Sequence, residues 1–116
     1  MRLPALVIGA QPVADGTSAE EWARTVRRIV RAQKGCRAPA STRAIEVDGE
    51  DAVLLRYPDC PRGSELDHRW VAAVHGGRGF HLVFFDEPGH AARDREVFRD
   101  LVAGISFDAT PPATPT

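Results

Sequence analysis

The chain has 116 residues, the size of one typical domain, and 43% of them are hydrophobic, which is enough to build a core. Its formal net charge of -1 gives no overall attraction for nucleic acid or anionic membranes. No stretch approaches the roughly 20 apolar residues of a membrane-spanning helix. These values exclude a chain built to coat nucleic acid, and they favour a single globular domain without a transmembrane segment.

The first third of the sequence predicts a short buried strand followed by a long helix. Residues 5–10 form a continuous apolar run, which is typical of a buried strand. Ser18 and Glu21 have the spacing of a capping box, so a helix over Ala19–Lys34 is expected, with Gly35 as its stop. The apolar face of that helix would comprise Trp22, Val26, Ile29 and Val30.

Residues 44–57 predict a β-hairpin. Strand-like segments at residues 44–47 and 52–57 flank Asp48 and Gly49. An Asp-Gly pair favours a tight two-residue turn, because both residues tolerate the positive φ angles that such a turn requires.

A longer hairpin is predicted over residues 67–87. Both faces of its strands are largely apolar, which indicates central strands that are covered on both sides. With a three-residue turn at residues 77–79, the expected faces are Trp70, Ala72, Val74, Leu82 and Phe84 on one side, and Val71, His75, His81, Val83 and Phe85 on the other.

The end of the chain predicts a second helix at roughly residues 90–103, and then a short edge strand at residues 105–107. Residues 109–116 are threonine- and proline-rich, so we expect a disordered tail after a single domain at residues 1–108. The predicted fold is α+β, with about five to six antiparallel strands packed against two helices in the order β-α-β-β-β-β-α-β. The buried stripe of the second helix would comprise Val97, Phe98, Leu101 and Val102.

Two cysteines, Cys36 and Cys60, allow two interpretations. They are either two reduced, partly buried thiols or a disulfide that joins the end of the first helix to the end of a strand. The disulfide would close a loop of about 25 residues, contribute about 3 kcal/mol and require an oxidising compartment.

The histidines and nucleophiles form no recognised catalytic motif. His75 and His81 flank the glycine turn and are the candidate metal ligands, but a site would need a third ligand, for which Asp67, Asp86 and Glu87 are the candidates. The interpretation that we favour is two hairpin histidines bonded to backbone or water. No serine or cysteine lies in a nucleophile motif. We therefore predict no catalytic residue, no bound metal, no cofactor and no enzyme activity.

The first helix also carries a run of basic residues. They include Arg24, Arg27, Arg28 and Arg31, and no acidic residue interrupts the sequence between Glu21 and Glu46. Most of these arginines lie opposite the apolar face, so the simplest interpretation is a solvated helix surface. The functional interpretation is a surface for an acidic partner or for anionic lipid head groups. Specific nucleic-acid binding is not expected, because no aromatic residues alternate with the arginines.

Three parts of the sequence carry a family resemblance. The first is the strand, turn and helix at residues 5–34, and the second is the hairpin IEVDGEDAVLLRY at residues 45–57, with its DG-x-x-A turn. The third is the long hairpin with its DEPG loop, the helix DREVFRDLVAGI and the pair Ser106-Phe107. Together they resemble the PsbP/Mog1-like fold, especially its small bacterial members of the LpqN and DUF1795 type, over about residues 5–107. Members usually begin with an extra N-terminal hairpin, which this sequence lacks.

This resemblance implies an accessory or binding module, because members are mostly non-enzymatic: photosystem assembly factors, a Ran-GTPase-binding protein and exported bacterial lipoproteins. It implies a secreted or cell-surface location if the N-terminus is truncated, which would suit a Cys36–Cys60 bond, and a cytoplasmic one otherwise. We therefore expect a non-enzymatic domain that binds a protein or a lipid-like ligand. Two alternatives stay open: a metal-binding or small hydrolytic enzyme that uses His75 and His81, and a dimerisation or structural module of a longer protein.

Overall fold

The computed structural model describes residues 5–34, 36, 38–60, 63–64, 66–86 and 95–107. These residues form one antiparallel sheet and two helices, so the predicted α+β class is confirmed. The elements are β1 (Ala5–Pro12), α1 (Ala19–Lys34), β2 (Ser41–Val47), β3 (Glu50–Tyr57), β4 (Asp67–His75), β5 (Arg78–Asp86) and α2 (Arg95–Ala103).

The sheet has the strand order β1-β5-β4-β3-β2, and all of its neighbours are antiparallel. Strands β2 to β5 follow one another as a meander, and β1 adds to the far side of β5. The predicted sixth strand at residues 105–107 does not form. Those residues instead pack Ile105 and Phe107 against one face of the sheet, because their apolar side chains are buried better there than at an open edge. The predicted helix start at residues 90–94 and the predicted tail at residues 109–116 lie outside the described residues.

The turn of the long hairpin differs from the prediction. Gly76 and Gly77 form a two-residue turn with φ angles of 58° and 74°, so His75 pairs with Arg78. Two positive φ angles define the turn type that suits the twist of a hairpin, and a Gly-Gly pair adopts both of them without strain. The three-residue turn that we predicted at residues 77–79 was therefore wrong.

The shorter turn changes which residues share a face. A register shift of one residue moves every side chain of a strand to the opposite face. Trp70 and Ala72 lie on the same face as Val83 and His81, whereas Leu82 and Phe84 lie on the other face. The predicted apolar character of both faces is nonetheless correct, because each face is covered by its own layer.

Helix α1 covers one face of the sheet. Its Trp22 side chain is 1% exposed, and its Nε1 donates a hydrogen bond of 2.8 Å to the carbonyl oxygen of Phe80. The indole ring lies against Gly79, where an added Cβ would come within 2.6 Å of the ring. This glycine is thus required for space, since its φ is not in the left-handed region. The core on this face also contains Ala23, Val26, Val30, Cys36, Val53, Leu55, Tyr57, Cys60, Trp70, Ala72 and Val83.

Helix α2 and the segment after it cover the other face less completely. Phe98 and Val102 pack against the sheet, but none of the described residues of α2 is fully buried. Val97 and Leu101 are 42% and 39% exposed, so their predicted place in the buried stripe was wrong. Each precedes a packed residue by one position, which rotates it by about 100° around the helix, and the sheet contacts only one side of α2.

The Trp22–Gly79 contact leads to a stability prediction. Gly79→Ala should lower the free energy of unfolding by about 1–3 kcal/mol, because the new methyl group would overlap with the indole ring of Trp22 and displace it. Urea unfolding followed by tryptophan fluorescence would measure the change. The matched control is Gly104→Ala, where the added Cβ would make an ordinary contact of 3.5 Å with the Asp100 carbonyl oxygen. Equal stability of both variants would contradict the assigned packing.

Candidate functional site

The start of α1 sets the orientation of the candidate site. The backbone N–H of Glu21 donates to Ser18 Oγ at 3.1 Å, and the backbone N–H of Ser18 donates to Glu21 Oε1 at 3.2 Å. This confirms the predicted capping box. The pKa of Glu21 is held below its usual value, first by the backbone hydrogen bond from Ser18, then by the Ser18 side chain, with a smaller effect of Arg24. With the first turn fixed and Trp22 inside, the arginines of α1 must face solvent.

Four side chains form what we call the arginine face: Arg24, Arg27, Arg28 and Arg31. All four are exposed. They line a shallow groove of about 280 Å³, and Arg24 and Arg28 also border a second groove of about 390 Å³. The second groove lies between α1 and the chain after β1, and its other lining residues are Gln11, Val13, Ala14, Thr17, Glu21, Trp22 and Thr25.

The guanidinium groups of this face are only partly offset by the part of the chain that the structure describes, since Arg24 is near enough to Glu21 to lower its pKa. None of the four arginines forms a salt bridge with a described carboxylate. Arg28 Nη2 donates to Thr25 Oγ1 at 3.2 Å, which leaves most of its N–H donors directed at solvent. The arginine face therefore offers a dense set of donors to an anion that comes from outside the domain.

The length of the face limits what can bind it. Arg24 and Arg31 are seven positions apart, which is about 10 Å along a helix axis at about 1.5 Å per residue. That distance corresponds to two turns of a partner helix or to about three residues of an extended strand. A partner needs several negative charges within this length to meet all four arginines.

The two histidines that we considered as metal ligands do not come together. His75 pairs with Arg78 and His81 pairs with Ala72, so the two rings lie on opposite faces of the sheet. The prediction that they share a face was wrong, because it used the three-residue turn. Among the described residues, no group of three His, Cys, Asp or Glu side chains could hold a metal ion. A joint His75/His81 site therefore has no geometric basis.

His81 lies in the layer between α1 and the sheet. Its ring centroid is 6.4 Å from that of Trp22 and 5.9 Å from that of Trp70. An added Cβ at Gly9 would collide with the imidazole, so Gly9 makes room for it. Burial lowers the pKa of His81 below its ordinary value of 6.5, because the charged ring is poorly solvated there. His81 therefore acts as a packing residue that favours its neutral form.

His75 has a different environment near the turns. Its Nδ1 lies 3.0 Å from Glu50 Oε1, and its ring stacks on Phe107 with centroids 5.2 Å apart. The backbone N–H of Phe107 donates to Asp48 Oδ2 at 2.9 Å. His75 thus helps to anchor the end of the described chain across the two hairpin turns.

An ionic cluster on the α2 face, with Asp67 and Arg69 buried and Arg56 half-exposed, was not predicted. Asp67 Oδ2 lies 3.0 Å from Arg69 Nε, and Asp67 Oδ1 lies 3.2 Å from Arg56 Nε. The Arg69 guanidinium carbon also lies 5.1 Å from the centre of the Phe98 ring and 5.7 Å from that of Phe84. The alternation Asp67-x-Arg69 at the start of β4 was a usable signal, since it puts opposite charges on one face of a strand. Through the contact between Arg69 and Phe98, the cluster packs against α2.

Cys36 and Cys60 lie together at the far end of α1. The structure joins them as a disulfide, with Cα atoms 5.5 Å apart and both side chains in the core. This geometry agrees with the bonded alternative of the two that the sequence left open. The bond ties the chain just after α1 to the chain just after β3.

The comparisons with known proteins support the fold and do not identify a function. No family model matches the chain, and no curated protein is similar to it in sequence. A crystal structure of PA94 from Pseudomonas aeruginosa, described as a protein of unknown function and a candidate regulator, has a similar fold, with a TM-score of 0.56 and 14% identity. The match covers 95% of this chain and 88% of that one. None of the described helices is long and apolar enough to cross a membrane.

The burial of His81 predicts a pH dependence of stability. Because its pKa is lower in the folded state, the unfolded chain takes up the proton first as the pH falls. The His81 contribution to stability is thus complete above pH 6.5 and is lost as the pH falls from there through the lowered folded pKa. Urea unfolding between about pH 8 and pH 5 should show a smaller loss for His81→Phe than for the wild type. Identical pH profiles would contradict this environment of His81.

The disulfide predicts a redox-dependent stability. Native protein should have a mass two hydrogens below that of the reduced chain and should resist alkylation. A double variant, Cys36→Ala with Cys60→Ala, should lose about 3 kcal/mol of unfolding free energy. Two alkylatable cysteines in native material would contradict the bond and would favour a reducing compartment.

Proposed function

We propose that this chain is a non-enzymatic binding domain whose arginine face recognises an acidic segment of a partner protein. The observation that carries the proposal is the set of four exposed arginines on α1 that form no salt bridge with a described carboxylate. Arginine suits this role because its planar guanidinium can bind a carboxylate through two hydrogen bonds at once. An acidic segment with several carboxylates along one side could contact several of these groups in one binding event.

A protein segment fits this surface better than a lipid bilayer does. Helices that lie on membranes insert an apolar face between the head groups, and the apolar face of α1 is buried against the sheet. Among the described residues, the large exposed hydrophobic side chains are Val97 and Leu101, and both lie on α2.

The expected affinity is modest. Exposed ion pairs contribute about 0.2–1 kcal/mol each, so four pairs supply about 1–4 kcal/mol. Most of the benefit is electrostatic steering, which accelerates association and weakens as salt is added. Reversible binding of this kind suits an accessory protein, and a regulatory role such as that suggested for PA94 is compatible with it.

We also propose that the chain is a distant relative of the PsbP/Mog1-like proteins. The order of β1 to β5 and the two helices supports this assignment, as does the confirmed helix α1. The assignment is consistent with a binding role, because such proteins mostly act through partners. A secreted or cell-surface location belongs to the same proposal, and the paired cysteines are compatible with it.

Binding of a synthetic helical peptide with Glu at every third and fourth position would test this function. Arg24→Ala and Arg28→Ala should each weaken binding by about two- to fivefold, and the quadruple variant of the arginine face should lose it. Arg43→Ala and Arg99→Ala are matched controls, because both arginines are exposed but lie on β2 and α2.

The outcomes separate the alternatives. Added salt should weaken peptide binding by the wild type, and a peptide with Lys in place of Glu should not bind. Unchanged affinity in the quadruple variant would refute the assigned surface. Binding to vesicles of anionic phospholipid without binding to the acidic peptide would show that lipid is the ligand and that the proposal is wrong.

A further inference from the structure

The turn between β2 and β3 carries a group of carboxylates that the proposed function does not use. We call Glu46, Asp48, Glu50 and Asp51 the acidic tip. Two of them have partners within the domain, because Asp48 accepts a hydrogen bond from the Phe107 N–H and Glu50 contacts His75. Glu46 and Asp51 are both exposed, and neither forms a salt bridge with a described residue.

Glu46 and Asp51 are placed directly opposite each other. The β2–β3 register pairs them, so their side chains lie on the same face of the hairpin. Like charges in this position repel each other and destabilise a sheet. A cationic group between the two carboxylates would remove that repulsion. The acidic tip therefore gains stability from a basic partner.

The arginine face of the same chain does not serve as that partner. No salt bridge joins the described residues of the two surfaces. The tip lies at the end of the sheet that also holds the Gly76–Gly77 turn, where α1 begins. The arginines follow along α1, away from its acidic first turn. Glu46 and Asp51 alternate with Val47 and Ala52, which pack on the α2 side, so the acidic pair lies on the same side of the sheet as α1 without a described salt bridge to its arginines.

The two surfaces match in spacing as well as in charge. Directly opposed residues of an antiparallel pair have Cβ atoms about 5 Å apart. Arg24 and Arg28 are separated by four residues of helix, which is about 6 Å. One carboxylate of the Glu46–Asp51 pair can therefore meet each of these arginines, with both pairs formed at the same time.

We propose that the acidic tip of a second copy of this chain binds the arginine face, so that the domain self-associates through these two surfaces. The inference rests on the proposed function, since it assigns a partner to the same arginines. Two copies related by a two-fold axis each contribute one tip and one arginine face, and both contacts then close in a dimer. An acidic segment from another protein competes with this dimer for the arginine face.

A charge-swap experiment on the full chain tests the inference. In analytical ultracentrifugation at low ionic strength, the wild type should form a dimer that dissociates as salt is added. The pair Arg24→Glu and Arg28→Glu should give a monomer, and so should the pair Glu46→Arg and Asp51→Arg. An equimolar mixture of the two variants should form a heterodimer, because each reversed surface meets its new complement.

The experiment needs a test of folding and a control pair of substitutions outside the two surfaces. Circular dichroism confirms that each variant is folded, and Arg99→Glu with Asp100→Arg on α2 should leave the dimer intact. The inference is overturned if the wild type is monomeric up to about 1 mM at low salt, or if the mixture stays monomeric. If the Glu46/Asp51 variant still binds the acidic peptide while self-association is absent, the proposed function stands and only the dimer fails. If the wild type itself does not bind the acidic peptide, the proposed function is wrong.

Discussion

The packing of the Trp22 side chain against Gly79 is the contact on which the rest of the structure depends. It fixes the helix at its first turn through an aromatic packing contact and a hydrogen bond to the Phe80 carbonyl. A helix held at one residue and packed along one stripe cannot rotate about its axis. The arginines are thus directed outward by an interaction on the opposite side of the helix, which links the core of the domain to its charged surface.

The disulfide fixes the position of the other end of α1. Cys36 follows the helix closely, and its bond to Cys60 ties that end to the sheet. With both ends held, the backbone under the arginine face is ordered before any partner arrives. Binding then has to immobilise the arginine side chains only, which lowers the entropy lost on association. A surface made of weak ion pairs gains most from such preorganisation.

Much of the fold could be predicted from local sequence signals. The Ser18–Glu21 capping box and the helical spacing of Trp22, Val26 and Val30 were sufficient to predict α1 and its charged face. Asp48-Gly49 was sufficient for the short hairpin, because its chemistry permits one turn type.

The turn length of the β4–β5 hairpin could not be predicted from such local signals. Three glycines lie beside Arg78, so two turn lengths were compatible with the sequence, and the structure adopts the shorter one. The same ambiguity produced the wrong face for His81. For α2, a helix with apolar residues at adjacent positions has two candidate stripes, and the sheet contacts only the one that carries Phe98 and Val102.

The two helices are packed on the sheet to very different extents, so we expect α2 to open at a lower free energy than α1. Among the side chains that the structure describes, four of α1 are buried and none of α2 is. Regions with few buried contacts open at a lower free energy than the global transition, so amide protons of α2 would exchange first. Lifting α2 would also uncover Arg69, which is 7% exposed beneath Phe98. The arginine face is thus exposed in the folded domain, whereas Arg69 would become accessible only when α2 separates from the sheet.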